Sequence, residues 1–225
     1  MSKKAFFITG TDTNVGKTMV AAGLLIAAKN KGLTTAALKP VAAGCEKTEL
    51  GLRNADALLL QSVITQELYY EQINPVALEA AIAPHIAAQQ EGRNISVDRI
   101  SGMCRGVLHS ANFTIVEGAG GWRVPINPRE TLADVAKNLQ LPVIIVVGMR
   151  LGCLNHALLT FEAVVRDGLR VAGWVANCID QDMPALQENI DSLRARLPVP
   201  CLAVVPFMVE PLVDRIADCF DIETL

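Results

Sequence analysis

No stretch of the chain approaches the roughly 20 consecutive apolar residues that a helix needs to cross a bilayer, and no block of like charge interrupts it. The apolar residues around Phe6 are broken almost at once by Thr9 and Gly10, too soon for the apolar core of a cleavable secretory segment. A cytoplasmic protein is expected, without a membrane partner. Twenty Lys+Arg stand against 23 Asp+Glu, a net charge of -3 with no basic patch, so nucleic acid is not an expected partner either. The six cysteines, Cys45, Cys104, Cys153, Cys178, Cys201 and Cys219, include no C-x-x-C pair. They read as reduced, mostly buried thiols rather than disulfides or zinc ligands. Cys153 and His156 would share a helical face, but two ligands without a third make a poor metal site.

What is present is enough apolar material for one large core. The chain has 225 residues and is 51% hydrophobic, and one domain over residues 1–225 is expected. Residues 5–18, AFFITGTDTNVGKT, organise it. An apolar run predicts a buried strand, a loop with Gly10 and Gly16 follows, and Lys17 and Thr18 open a long apolar helical pattern. This is a phosphate-binding loop in its strand-loop-helix setting. The glycines let successive backbone N–H groups face inward, and the helix start adds its positive dipole end. Lys17 would reach the terminal phosphates and the Thr18 hydroxyl would ligate magnesium. Five residues, rather than the usual four, separate Gly10 from Gly16, and Thr11 takes the place of the first glycine.

The rest of the chain alternates. Strands are predicted at residues 34–39, 113–117, 143–147, 171–177 and 200–207, and helices at 18–31, 54–63, 96–108, 131–139, 154–166, 185–196 and 209–220. Residues 41–51 read as a flexible loop, and 65–90, interrupted by Pro75 and Pro84, suit helix, turn or short strand alike. Strands without polar alternation, separated by helices, predict a parallel sheet covered on both faces, an α/β fold of three layers. Ligands of such sheets sit beyond the carboxyl ends of the strands. There, Lys39 and Glu117 each end a strand and Asp56 follows the Lys39 loop. With Lys17 and Thr18 they would gather two cations and two carboxylates around one triphosphate, which suits phosphoryl transfer. Glu117 could instead be a strand-end charge facing water, and Asp56 an ordinary exposed acid in a first helical turn.

Six motifs, GTDTNVGKT at residues 10–18, KPVA at 39–42, GLRNADAL at 51–58, VEGAGGW at 116–122, GCLNHALLT at 152–160 and WVAN at 174–177, together resemble the dethiobiotin synthetase family over nearly the whole chain. The longer gap in the loop is that family's own form of the motif. The resemblance implies a P-loop NTPase-like fold with a mainly parallel sheet of about seven strands, a homodimer, and ATP with magnesium as cofactors. It implies that carbon dioxide is captured by one amine of 7,8-diaminononanoate as a carbamate, whose oxygen attacks the terminal phosphate of ATP before the second amine closes the ring.

By the same resemblance, Lys17 and Lys39 act on the transferring phosphoryl group, and Thr18, Asp56 and Glu117 hold the metal. Thr13, Asn14, Val15, Gly16, Lys17 and Thr18 cradle the phosphates, with Gly118, Ala119 and Gly120 near the terminal one. Asn177, Pro206, Phe207 and Met208 would bind adenine, and Glu210 is a weaker nucleotide contact. Thr11, Lys39 and Ala43 face the diamine, while Leu151, Gly152, Cys153, Leu154 and Asn155 offer its carboxylate a helix start across the dimer interface. Asn14 stands where many members have glutamate, Ala43 where a hydroxyl is common, and Cys178 where an acidic residue follows Asn177. A divergent paralogue is one alternative. A switch ATPase that binds DNA, membrane or protein is the other, but it needs a second lysine early in the loop, where this chain has Asp12.

Overall fold

The structure is a computed structural model that describes residues 3–225. Strand β1 (Lys4–Gly10) leads through the glycine loop into α1 (Lys17–Asn30), then β2 (Thr35–Leu38), β3 (Val41–Ala42), β4 (Glu46–Thr48), β5 (Gly51–Arg53) and α2 (Ala55–Val63). Next come α3 (Tyr70–Ile73), β6 (Val76–Ala77), α4 (Pro84–Gln90), α5 (Val97–Leu108) and β7 (Phe113–Glu117). The second half runs α6 (Leu132–Leu139), β8 (Val143–Met149), α7 (Cys153–Arg166), β9 (Val171–Cys178), α8 (Leu186–Arg196), β10 (Cys201–Val205) and α9 (Val213–Ala217).

Six strands form the central sheet in the order β10-β9-β8-β1-β7-β2, every pair parallel. Successive side chains of a strand point to opposite faces, and each face has its own core here. Phe6 and Ile8 pack with Leu24, Leu25, Phe113, Ile115 and Ile216 on one side. Phe7 packs with Val116, Trp122, Val143, Trp174 and Leu193 on the other. That two-sided burial is why β1, β7 and β8 read as unbroken apolar runs. The chain leaves β1 toward β7 and β2 on one side and reaches β8 on the other, so the order reverses beside the glycine loop, where such sheets bind ligands.

Three expectations need correction. The sheet has six strands rather than about seven: β3 pairs only with β6, and β4 only with β5. Beyond β2 the edge is covered by the turn after α3, whose Ile73 carbonyl accepts the Lys39 N–H at 2.8 Å. Residues 46–53, read as loop, form an antiparallel hairpin turned by Gly51 at φ 99°, with the Thr48 hydroxyl donating to the Gly51 carbonyl at 2.8 Å. Its first strand is exposed throughout, so no apolar alternation marks it. The last helix, Val213–Ala217, is also shorter than the expected 209–220, because Pro211 disfavours helical backbone at the residue before it, Glu210. Among the described residues no helix is long and apolar enough to cross a membrane.

Candidate active site

The loop between β1 and α1 is shaped by close contacts that only glycine allows. A Cβ at Gly10 would lie 2.7 Å from Val15 Cγ2, and one at Gly16, where φ is +83°, would lie 2.1 Å from Asn177 Nδ2. Asn177 Nδ2 donates to the Val15 carbonyl at 2.8 Å, so β9 holds the loop's far side. The Asp12 carboxylate accepts the Thr13 N–H at 2.7 Å and pairs with Arg150. The site that carries a second lysine in switch ATPases therefore carries an acid neutralised from β8. Lys17 folds back so that its ammonium donates to the Asp12 carbonyl at 2.9 Å. Burial first, and then the neighbouring Lys39, lower its pKa to about 8, with Glu117, Asp56 and Asp12 opposing.

The second half of the site follows from strand register. β2 pairs with β7 with Leu38 opposite Val116, which brings the next residues, Lys39 and Glu117, side by side. Lys39 Nζ lies 2.6 Å from Glu117 Oε1 and 2.9 Å from Asp56 Oδ2. The Thr18 hydroxyl donates to the same Glu117 oxygen at 2.8 Å. Burial would lower the Lys39 pKa, but the Glu117 and Asp56 carboxylates more than reverse that and hold it above the ordinary lysine value. Burial would raise Asp56, and Lys39 outweighs it, keeping the carboxyl below its usual range.

Glu117 is not a solvated surface charge, and Asp56 is only partly one. Glu117 is fully buried, and Asp56, half-buried in the first turn of α2, is drawn onto Lys39. Buried ions cost several kcal/mol each unless paired and hydrogen-bonded. Among the described residues Glu117 Oε2 has no hydrogen-bond partner. An orphaned buried carboxylate oxygen, with a hydroxyl and a second carboxylate beside it, is an all-oxygen donor set of the kind that suits magnesium.

These groups form the polar end of a cleft of about 1070 Å³. Thr13, Asn14, Gly16, Lys17, Thr18, Lys39, Ala43, Asp56, Glu117, Ala119 and Gly120 all line it. Val15 lies behind the loop, buried, and the Gly118 carbonyl lies 3.4 Å from Lys39 Nζ. The opposite wall is apolar, built from Ala42, Ala81, Ile82, Ala83, Pro84, Val124 and Pro125, with Arg123 at its rim. Residues 81–84 went unread because they lie in the segment whose local pattern fits several structures; the proline at the start of α4 was the one usable signal. Arg150 was missed as well, since nothing local marks a partner 138 positions away.

The remaining expected residues are not brought into the cleft. Pro206, Phe207 and Met208 follow β10 on the flank where Asn177 meets the loop, and Glu210 is exposed beyond them. Leu151, Gly152, Cys153, Leu154 and Asn155 turn from β8 into α7, with Gly152 at φ 94° as its N-cap. Leu151 is 94% exposed and Cys153 is buried. All six cysteines are free thiols.

A parallel sheet with a glycine loop, a buried lysine and a carboxylate at the next strand end defines a P-loop nucleotide-binding protein. The AAA domain family matches residues 4–213. Among solved structures, the septum site-determining protein MinD of Pyrococcus horikoshii, complexed with Mg-ADP, superposes with a TM-score of 0.58 at 15% identity, over 98% of this chain and 87% of that one. MinD in the MinC:MinD complex of Aquifex aeolicus gives 0.58 at 16%, over 96% and 86%. At that distance the likeness is one of fold. Sequence relatives are far nearer: ATP-dependent dethiobiotin synthetase BioD of Cellvibrio japonicus is 68% identical over 92% of this chain and 90% of its own. The BioD of Pseudomonas aeruginosa (strain PAO1) is 54% identical over 98% and 97%. The chain belongs to the ATP-dependent dethiobiotin synthetase family.

Proposed function

We propose that this chain is an ATP- and magnesium-dependent cyclo-ligase that converts 7,8-diaminononanoate, carbon dioxide and ATP to dethiobiotin, ADP and phosphate in biotin synthesis. The observation that carries the reading is the buried Lys39–Glu117–Asp56 cluster beside Lys17 and Thr18, at the head of a cleft with an apolar wall. The apolar wall takes the aliphatic chain of the diamine, leaving the amines at the polar end. One amine captures carbon dioxide as a carbamate, the carbamate oxygen takes the terminal phosphoryl group of ATP, and the second amine closes the ring and expels phosphate. Lys17 and Lys39 neutralise charge on the phosphoryl oxygens and on the carbamate. Thr18, Asp56 and Glu117 would hold magnesium, which supplies charge to the same oxygens.

The loop residues 13–18 hold the phosphates, and Gly118, Ala119 and Gly120 flank the terminal one. Asn177, Pro206, Phe207 and Met208, with Glu210 at the margin, take the adenine side, and Thr11 and Ala43 lie on the diamine side. The active unit is a homodimer. Leu151 before α7, and Leu159 and Val165 on it, are exposed apolar residues, and a second copy packed there would carry residues 151–155 to its neighbour's substrate. The reaction belongs in the cytoplasm, where thiols such as these stay reduced. Measuring ADP release with diamine and bicarbonate each omitted in turn tests the proposal. Release should need both; steady release without either would mark a nucleotide switch.

A further inference from the structure

Lys39 and Asp56 meet at 2.9 Å although one follows β2 and the other begins α2, and a single contact between two flexible side chains does not hold two elements in place. A continuous chain of hydrogen bonds runs behind them. The backbone N–H of Asn54, the residue that caps α2, donates to the Tyr70 hydroxyl at 2.7 Å. That hydroxyl donates to Asn74 Oδ1 at 3.0 Å. Asn74 Nδ2 in turn donates to the Lys39 carbonyl at 2.7 Å and to the Val76 carbonyl at 3.3 Å.

Tyr70 and Asn74 are both buried, and the bonds from Tyr70 to Asn74 and from Asn74 to the main chain are made away from water, where leaving one partner unpaired is costly. Burial holds the Tyr70 phenol above its ordinary pKa, which keeps on it the proton that it gives to Asn74. The ring is fixed from outside by the Arg53 guanidinium, 4.1 Å from its centroid, and packs with Ala57 and Ile73. Asn74 sits at the end of α3, where Pro75 stops the helix. One end of the link is thus the cap of the helix that carries Asp56, and the other is the main chain of Lys39 itself.

We infer that Tyr70 and Asn74 are positioning residues for phosphoryl transfer: their link sets the spacing between the Asp56 carboxylate and the Lys39 ammonium. The inference rests on the roles given to Lys39 and Asp56 under the proposed function. A ring without the hydroxyl would fill the same space and leave α2 free to shift against β2. The cost should therefore appear in metal use and turnover rather than in nucleotide affinity.

The test compares Tyr70→Phe, Asp56→Asn and the double variant, with Thr65→Val as a control. Thr65 accepts the buried Thr35 N–H at 2.7 Å and lies outside the site, so its loss should cost stability of a similar kind. Magnesium titrations of turnover, run well below each melting temperature, should show the half-saturating concentration raised about fivefold in Tyr70→Phe, the size of one neutral hydrogen bond, and unchanged in Thr65→Val. Binding of ADP without magnesium should be unaltered in both. Because Tyr70 acts through Asp56, the double variant should be no worse than Asp56→Asn alone. Should Tyr70→Phe fail to fold, Asn74→Ser gives the same readout. A wild-type magnesium titration in Tyr70→Phe, or effects that multiply in the double variant, would overturn the inference while leaving the metal role of Asp56 standing. An unmoved titration in Asp56→Asn would remove that role, and the inference with it.

Discussion

The phosphate end of the cleft and the turn at residues 151–155 are both strand-to-helix junctions on the same edge of the sheet, yet they are built in opposite ways. At the first, Lys17, Lys39 and Glu117 are buried and bonded to one another or to the loop, and the chain supplies its own countercharges. At the second, Leu151 stands in solvent and Gly152 and Asn155 are exposed. A helix start in open water gains little from one carboxylate, because solvent screens it. On the proposed function, phosphoryl chemistry is assembled within one chain, while recognition of the far end of the substrate waits for another surface.

Breaking the first region should have the largest effect. Lys17→Ala should fold and lose turnover by several powers of ten, in line with roughly 3–5 kcal/mol for an electrostatic contact in a dry site; near-normal steady-state rates would defeat the assignment. The same lysine predicts a pH limb. In the proposed role its charged form is the active one, and its pKa is lowered to about 8, so kcat/KM for ATP should fall as pH rises through about 8 and hold steady below. A flat profile to pH 9.5 would contradict it.

Next in size is Glu117→Gln. It removes a charge from the metal set and leaves buried Lys39 with Asp56 alone, so the magnesium requirement should rise and the melting temperature should drop. An unchanged magnesium titration would make Glu117 a structural partner of Lys39 only.

Gly152→Pro sharpens the contrast from the other side. Gly152 sits at φ 94°, and proline is fixed near -65°. Calorimetry should find weaker diamine binding and intact ATP binding; loss of ATP binding would show that the two regions are not separate. The smallest effect is expected from Ala43→Ser, which adds a hydroxyl on the cleft wall. The KM for the diamine should fall by a factor of about 2 to 13, equivalent to about 0.5–1.5 kcal/mol for one neutral hydrogen bond, with the KM for ATP unmoved. A change confined to ATP would refute it.

Legibility followed the same divide. The glycine loop, the buried strands and the charges at their ends were readable because local pattern dictates them: a strand covered on both faces has to be apolar, and a charge placed at its end stands out. Lys39 and Glu117 could be named as neighbours-in-waiting, but their contact depends on the pairing of β2 with β7, which no local pattern states. The exposed hairpin at 46–53 and the apolar wall at 81–84 have short elements without periodicity, so tertiary packing decided them. Arg150 against Asp12, Tyr70 against the Asn54 N–H and Asn74 against the Lys39 carbonyl are pairings between segments far apart in the chain, and a single chain written in one dimension carries no mark of them.

On the proposed function, nucleotide handling is complete in one chain and turnover is not. Sedimentation across a dilution series, with ADP binding and turnover measured at the same concentrations, tests it most directly. ADP binding per chain should stay constant while turnover falls in step with the dimer fraction. Full turnover in a sample shown to be monomeric would contradict it.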